Sequence, residues 1–220
     1  MMIRLTADDG HSLGCWIAAP EGPRRGGLVL LQEIFGLTDQ LKEVATRYAA
    51  LGYDVAIPAL FDRVRRDLVI PFDDIDTARA AMLETGTDSA LTDIDAAVQH
   101  LRRRGGRVAV LGFCWGGGLA LAAAQRLEIA GAVSFYGTRL GQLLDQPLTT
   151  PFQGHFGLSD DHTPVDLVTR LAETWPDQAE VFFYEAGHAF ANERRPEMFL
   201  PQAAALAHAR AETFLEKVLS

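Results

Sequence analysis

A chain of 220 residues, 48% of them hydrophobic and 22% charged, is long enough to bury a sizeable core within one domain. Its formal net charge of −9 argues against a nucleic-acid-binding protein, because neutralising phosphates requires a basic surface. Two cysteines are too few for a disulfide framework. Residues 1–10 contain no apolar signal segment, and no run reaches the roughly 18 apolar residues of a membrane span. These three observations predict a reduced, cytoplasmic protein.

In the first half of the chain, short apolar runs alternate with amphipathic runs. They predict strands over residues 3–6, 13–18, 28–32 and 53–58, and helices over residues 39–51, 75–85 and 88–103. The turn DDGH joins the first two strands as a hairpin, and Gly52 ends the first helix. The continuous run LVLLQ is typical of a strand buried on both faces of a parallel sheet. Residues 62–74 are charged and irregular.

The same alternation continues in the second half. It predicts strands over residues 107–112, 131–135, 151–156 and 180–184, and helices over residues 115–127, 164–174 and 199–219. Gly154 weakens the strand prediction for its segment, because glycine disfavours a strand interior. Buried strands alternating with amphipathic helices predict a doubly wound, mostly parallel α/β sheet. No linker composition divides the chain, so we expect a single domain over residues 1–220.

A glycine-rich segment surrounds Cys114. Residues 111–119 read LGFCWGGGL, between a predicted strand and a predicted helix, and Gly112 to Gly116 fit the nucleophile-elbow pattern G-x-S-x-G with cysteine in place of serine. The glycines of an elbow leave room for a strained nucleophile, and the helix N-terminus favours a thiolate and an oxyanion. A cysteine that only packs in the turn is the alternative, and this segment alone does not decide between them.

Candidate partners for Cys114 follow two later strands. A thiol nucleophile needs a base, and the base needs a group that orients it. The loop GLSDDHTP contributes Asp160 and Asp161, and the loop YEAGHAF, after the last strand, contributes His188. Along the chain the nucleophile comes first, then the acid, then the histidine. This is the order found in hydrolases that carry a nucleophile elbow on an α/β sheet. The coincidence favours a nucleophilic role for Cys114.

A carboxylate also follows the first buried strand of the predicted parallel sheet. Glu33 lies in the stretch QEIFG, at the position where hydrolases with a nucleophile elbow carry their oxyanion loop. A carboxylate close to a thiol keeps the thiol protonated, because two negative charges repel each other. A capping or surface role for Glu33 is the alternative.

Taken in order, QEIFGL, LGFCWGGG, the loop from Asp160 to Pro164 and YEAGHAF resemble the dienelactone hydrolase family, the carboxymethylenebutenolidases. The resemblance spans nearly the whole chain, and this combination of motifs separates the family from the general serine esterases. It implies an α/β-hydrolase fold. It also implies hydrolysis of a dienelactone ring to an open-chain dicarboxylate such as maleylacetate, a reaction of aromatic degradation.

The resemblance implies a catalytic triad. Cys114 corresponds to the nucleophile, His188 to the general base and Asp160 to the group that orients the base. Asp160 is preferred to Asp161 because the family aspartate stands four residues before a proline, here Pro164.

The resemblance implies roles for three further residues. The backbone N–H groups of Ile34 and Trp115 correspond to the oxyanion hole. Glu33 corresponds to the glutamate that holds the resting thiol neutral and swings away when substrate binds.

This sequence departs from the family pattern beside the histidine. The best-known members carry an arginine four residues after it, which helps hold the substrate carboxylate, whereas Asn192 stands here and Ala189 replaces a serine. Arg79 is the candidate for a second substrate-binding arginine, and Arg194 or Arg195 is a candidate substitute for the missing one. A guanidinium binds a carboxylate through two hydrogen bonds, and position 192 has no guanidinium. An alternative is therefore a broader ester or lactone hydrolase.

We expect neither a cofactor nor a metal ion. His155, Asp160 and His162 lie near one another in sequence, but a strand and its loop do not impose ligand geometry. The expected partner is a small-molecule lactone or ester, with no nucleic acid and no membrane, and the expected state is a monomer. A non-catalytic binding protein with the same fold is a further alternative.

Overall fold

The computed structural model describes all 220 residues and divides into two units. The first unit comprises Met1–Ala109 together with Leu219–Ser220, and the second comprises Val110–Val218. The single domain expected from the sequence stays a prediction. None of the helices combines the length and the apolar character that a membrane crossing requires.

The first unit carries four strands and three α-helices. The strands are β1 (Met2–Thr6), β2 (Ser12–Ala18), β3 (Gly26–Leu31) and β4 (Tyr53–Pro58). The helices are α1 (Asp39–Ala50), α2 (Ile75–Thr85) and α3 (Thr87–Arg102). The strands lie in the order β1-β2-β4-β3, with β1–β2 and β2–β4 antiparallel and β3–β4 parallel.

Local sequence signals account for these elements. Every residue of β3 is buried, as its continuous apolar run predicts. Helix α1 begins after Thr38, whose side-chain oxygen accepts a hydrogen bond from the Leu41 N–H at 3.3 Å. Gly52 follows the end of α1 with a φ of 98°, a conformation that glycine adopts at little cost. The predicted helix stop at Gly52 is therefore confirmed.

The loop after β3, which contains QEIFG, packs against the irregular segment 62–74. Gly36 pairs with Val69 in an isolated antiparallel bridge. Gly36 has a φ of 87°, and a Cβ at this position would overlap the carbonyl oxygen of Leu68. Both the backbone angle and the close approach require the glycine that ends this stretch.

The second unit carries the remaining strands and helices, although β5 begins in the first unit. The strands are β5 (Val108–Phe113), β6 (Ala132–Phe135), β7 (Phe152–Gly157) and β8 (Ala179–Tyr184). The helices are α4 (Trp115–Arg126), α5 (Val165–Thr174) and α6 (Pro201–Leu219). The strands are parallel, in the order β5-β6-β7-β8. Their carboxyl ends therefore meet at one edge, where ligands bind in sheets of this kind.

The α/β class and every predicted helix and strand are confirmed, with ends within two residues of the predicted ones. Gly154 lies inside β7, where a Cβ would overlap the ring of Phe156, so the glycine serves packing rather than breaking the strand. Two short 3₁₀ turns, Leu60–Arg63 and Leu140–Gln142, have no counterpart among the predicted elements.

Candidate active site

Cys114 occupies a strained turn between β5 and α4. It caps α4 with φ 52° and ψ −118°, a backbone conformation that is costly for any residue other than glycine. Its carbonyl oxygen accepts hydrogen bonds from the N–H groups of Gly117, Gly118 and Thr138 at 3.0, 3.2 and 3.1 Å, which hold the turn in place. The residue thus stands at the N-terminal end of a helix, where the helix dipole favours negative charge.

Two glycines make this turn sterically possible. A Cβ on Gly112 would overlap the carbonyl group of Gly116, and a Cβ on Gly117 would lie 2.6 Å from Oγ of Ser134. Side chains at these positions would force the elbow open. The glycine pattern around Cys114 therefore reflects close backbone approach, as the elbow motif predicts.

Asp160 and His188 form a buried hydrogen-bonded pair. Nδ1 of His188 lies 2.8 Å from Oδ2 of Asp160, while Oδ1 of Asp160 accepts a hydrogen bond from the His162 N–H at 2.9 Å. The Asp160 side chain is fully buried and the His188 side chain is 10% exposed. With both oxygens engaged, the carboxylate has a fixed orientation and holds the imidazole by its Nδ1 atom.

The loops that carry these two residues are joined directly. The Ser159 N–H donates to the carbonyl oxygen of Ala186 at 2.9 Å. At the end of β7, a Cβ on Gly157 would overlap the same carbonyl oxygen. Glycine at this point lets the acid loop and the histidine loop approach closely enough for Asp160 to reach His188.

His188 completes a hydrogen-bonded chain from Asp160 to Cys114. Burial acts to lower the pKa of His188, but its hydrogen bonds to Asp160 and Cys114 outweigh burial and raise the pKa to about 10. The raised pKa makes the imidazole a strong proton acceptor beside the sulfur. A base that readily takes up a proton beside a cysteine is suited to nucleophilic catalysis.

Two further aromatic rings flank His188. Tyr136, buried and with a φ of 39°, places its ring centroid 5.2 Å from that of His188, with the planes at 66°. The ring of His162 lies at 4.5 Å, with the planes at 31°. Neither residue belongs to the predicted site. Each follows a strand of the parallel sheet, the same signal that identifies Asp160, so position after a strand end could have revealed both.

A model of the dienelactone hydrolase family matches residues 13–219. The chain belongs to the dienelactone hydrolase family. The carboxymethylenebutenolidase of Pseudomonas putida is 28% identical over 229 aligned positions, which cover 99% of this chain and 97% of that protein. Carboxymethylenebutenolidase 1 of Cupriavidus pinatubonensis is 26% identical over 219 positions, which cover 94% of this chain and 93% of that protein.

The architecture is that of the α/β-hydrolases. A dienelactone hydrolase-like promiscuous phosphotriesterase from metagenomic libraries matches with a TM-score of 0.81 at 19% identity, covering 100% of this chain and 99% of that chain. At this identity the likeness shows the fold alone. Together with the family membership, it makes the protein a hydrolase with an α/β-hydrolase fold.

Three residues with roles implied by membership of the dienelactone hydrolase family lie in the first unit. Glu33 lies two residues after the end of β3 and is 7% exposed, and Ile34 is half-buried beside it. Arg79 is exposed on α2. Their roles in thiol control, oxyanion binding and substrate binding stay predictions. Trp115, the other predicted oxyanion donor, is the first residue of α4 and is buried next to Cys114.

Asn192 shapes the turn after the histidine. Its side chain is buried and its Oδ1 accepts a hydrogen bond from the Arg194 N–H at 3.0 Å. Its own N–H donates to the carbonyl oxygen of Ala189, whose φ is 58°. At the position where the best-known dienelactone hydrolases carry an arginine, this chain thus has an amide that stabilises a turn. Its part in substrate binding stays a prediction.

The two cysteines differ in their surroundings. Both are free. Cys15 lies in β2, is fully buried, and has its pKa raised by burial to about 12. Such a thiol is chemically inert. Cys114 is 9% exposed and is the cysteine with a base beside it.

Proposed function

We propose that this protein hydrolyses a dienelactone through Cys114, His188 and Asp160, giving an open-chain dicarboxylate such as maleylacetate. One observation carries the proposal: the hydrogen-bonded chain from Asp160 through His188 to Cys114, which ends at the N-terminal end of α4. Similarity to two carboxymethylenebutenolidases supports a lactone as the substrate.

In the first step, Sγ of Cys114 attacks the carbonyl carbon of the lactone. The proton of the thiol passes to Nε2 of His188, since Nδ1 is held by Asp160. The carbonyl oxygen becomes an oxyanion at the N-terminal end of α4, where the Trp115 N–H is the proposed donor. The family resemblance adds the N–H of Ile34 as a second donor.

In the second step, the tetrahedral intermediate collapses and the ring C–O bond breaks. Cys114 then carries a thioester, and the freed ring oxygen remains on the same molecule as an enolate. Water attacks the thioester carbon and gives its proton to the enolate. The C–S bond breaks, the sulfur leaves, and the product is a dicarboxylate.

We further propose that Glu33 keeps the resting thiol protonated until substrate binds, a role that rests on the family resemblance. A thiol that ionises only with substrate present is protected from oxidation, because the thiolate is the reactive form. The raised pKa of His188 acts in the opposite direction, since a strong proton acceptor beside the sulfur draws the proton from the thiol. Alkylation rates distinguish which effect prevails.

A broader ester or lactone hydrolase is the second candidate, and Asn192 favours it. The amide of Asn192 is engaged with the Arg194 N–H and supplies no positive charge. A lactone that bears a carboxylate then lacks a bidentate guanidinium partner at this position. Binding of a neutral ester does not depend on such a guanidinium, so asparagine in place of arginine does not weaken it.

The experiment compares kcat/KM for cis-dienelactone with kcat/KM for p-nitrophenyl acetate, using Cys114→Ala as the control for each substrate. The first candidate predicts a higher value for the dienelactone and loss of both activities in Cys114→Ala. A dienelactone value no higher than the acetate value favours the broader hydrolase. Unchanged activity of Cys114→Ala with both substrates would remove the cysteine mechanism altogether.

The proposed reaction needs only the substrate and water. We propose that the protein acts without a cofactor as a cytoplasmic monomer, with no nucleic-acid or membrane partner. Light scattering on the purified chain tests the monomer. The expected mass is 24.0 kDa, and twice that mass would overturn it.

A further inference from the structure

Three side chains at the edge of the second unit bring potential metal ligands together. Asp160, His162 and His188 each offer a ligand atom, and these atoms lie within 4.8 Å of one another. The sequence cluster of His155 with Asp160 and His162 is not the one that forms. Nδ1 and Nε2 of His155 bond to Tyr184 and Gln153, so His188 takes its place.

The spacings resemble those of a zinc site. Nδ1 of His188 is 2.8 Å from one oxygen of Asp160, and Nδ1 of His162 is 3.5 Å from the other. In a tetrahedral zinc site with bonds of about 2.1 Å, neighbouring ligand atoms are roughly 3.4 Å apart. One of the two spacings is shorter than this, the other is nearly equal to it, and all the ligand atoms lie within 4.8 Å of one another, so the three groups stand close to zinc-binding distances.

The cluster is also open on one side. The side chain of His162 is 54% exposed, whereas those of Asp160 and His188 are 0% and 10% exposed. An ion can therefore meet His162 first and pass from it to the buried pair. Since only one ligand is solvent-exposed, the bound ion would be partly shielded from water.

We propose that Asp160, His162 and His188 bind a divalent transition-metal ion such as zinc, and that the bound ion blocks hydrolysis. Two imidazole nitrogens and a carboxylate oxygen are a common ligand set for zinc, with water in the fourth position. Magnesium and calcium prefer oxygen ligands and fit this set poorly.

The block follows from the position of the ion. Zinc takes the place of the Nδ1 proton of His188: the N–H bond breaks, a Zn–N bond forms, and the proton goes to solvent. Asp160 then binds the ion instead of the imidazole N–H, so the triad hydrogen bond is lost. The metal-held ring can no longer turn freely between Cys114 and the attacking water. This consequence rests on the proposed function, whereas binding of the ion does not.

A zinc ion held by Cys114 and His188 alone is the competing arrangement, and variants separate the two. Zinc binding is measured on the full chain by competition with a chromophoric zinc indicator. Cys114→Ala removes the thiol, His162→Gln removes the exposed ligand, and His100→Gln, on α3 of the first unit, is the matched control for losing a histidine. The side chain of His162 is 54% exposed and packs on the ring of His188, so its replacement disturbs the core less than replacement of a buried ligand would.

The proposal predicts one bound ion in the wild type, Cys114→Ala and His100→Gln, with similar dissociation constants. His162→Gln binds more weakly by about tenfold or more, since loss of a ligand costs at least as much as loss of a supporting residue. Equal binding by His162→Gln and wild type would overturn the site. Weakened binding by Cys114→Ala would instead assign the ion to the thiol.

Activity provides the second measurement. The wild type, His162→Gln and His100→Gln are each assayed with p-nitrophenyl acetate against their own rate in EDTA, so differences in basal rate cancel. We expect reversible inhibition of the wild type by zinc, and a half-inhibiting concentration at least about tenfold higher for His162→Gln. Binding without inhibition would overturn the block alone. Absence of activity with both p-nitrophenyl acetate and cis-dienelactone would count against the proposed function, while the binding titration still decides the site.

Discussion

Nδ1 of His188 lies 2.8 Å from Oδ2 of Asp160, whereas the neighbouring Asp161 is exposed. An ionised carboxylate only accepts hydrogen bonds, so Nδ1 of the imidazole must be the atom that carries the proton in this contact. An amide of the same shape could donate to Nδ1 and would then favour the wrong tautomer.

Asp160→Asn is therefore expected to lower kcat by about 10²- to 10⁴-fold while the protein stays folded. Steady-state rates with p-nitrophenyl acetate measure the effect, and circular dichroism checks the fold. Asp161→Asn is the matched control and should retain the wild-type rate. A large loss in Asp161→Asn with little loss in Asp160→Asn would reverse the assignment of the acid.

Replacement of Glu33 tests control of the thiol. If the Glu33 carboxylate keeps Cys114 protonated at rest, Glu33→Gln should raise its iodoacetamide alkylation rate several-fold near pH 7 and lower turnover. Mass spectrometry over pH 6–9 follows the modification.

The second cysteine does not confuse this measurement, because burial raises the pKa of Cys15 to about 12 and leaves it inert. Cys114→Ala should therefore show no alkylation over the same period. An alkylation profile of Glu33→Gln that matches the wild type at every pH would show that Glu33 does not govern the thiol.

The elbow allows a stability test. A Cβ on Gly112 would overlap the carbonyl of Gly116, so Gly112→Ala should lower the free energy of unfolding by about 2–4 kcal/mol. Urea denaturation measures the change. Gly22→Ala is the control, since nothing lies within 4 Å of a Cβ there, and its change should stay within about 0.5 kcal/mol. Equal stabilities of the two variants would mean that the elbow tolerates a side chain.

The triad residues could be predicted because each lies in the loop that follows a strand of a parallel sheet, and the topology brings the ends of these strands together. Cys114, Asp160 and His188 need only strand order and local glycine signals to be found. The ring of His162 against His188 depends instead on how one loop folds, with the carboxylate of Asp160 accepting the His162 N–H. Nothing in the order of residues fixes that conformation.

Asn192 and Tyr136 illustrate the same limit. The family pattern places Asn192 where an arginine is usual, but only the structure shows its amide bonded to the Arg194 N–H inside a turn. Tyr136 has a φ of 39°, which hydrophobic periodicity does not report. Patterns of apolar residues predict where strands end, whereas side-chain directions in the loops follow from tertiary contacts.

Protonation of His155 makes the stability of the second unit depend on pH. It is fully buried in β7, with Nδ1 2.8 Å from the Tyr184 hydroxyl and Nε2 3.0 Å from Oε1 of Gln153. Burial, together with the positive charges of His208 and Arg210, lowers the pKa of His155 to about 3. Since the unfolded chain binds this proton near pH 6.5, protonation favours unfolding between these values.

The stability contributed by neutral His155 is therefore fully present above about pH 6.5 and is lost as the pH falls toward 3. His155→Phe should reduce the slope of the unfolding free energy against pH by on the order of 1 kcal/mol per pH unit between pH 4 and 6. Urea denaturation across this range measures the slope. Phe156→Leu, a neighbouring core replacement without a titratable group, should lower stability at every pH and keep the wild-type slope. A slope in His155→Phe equal to that of the wild type would place the acid sensitivity in other groups.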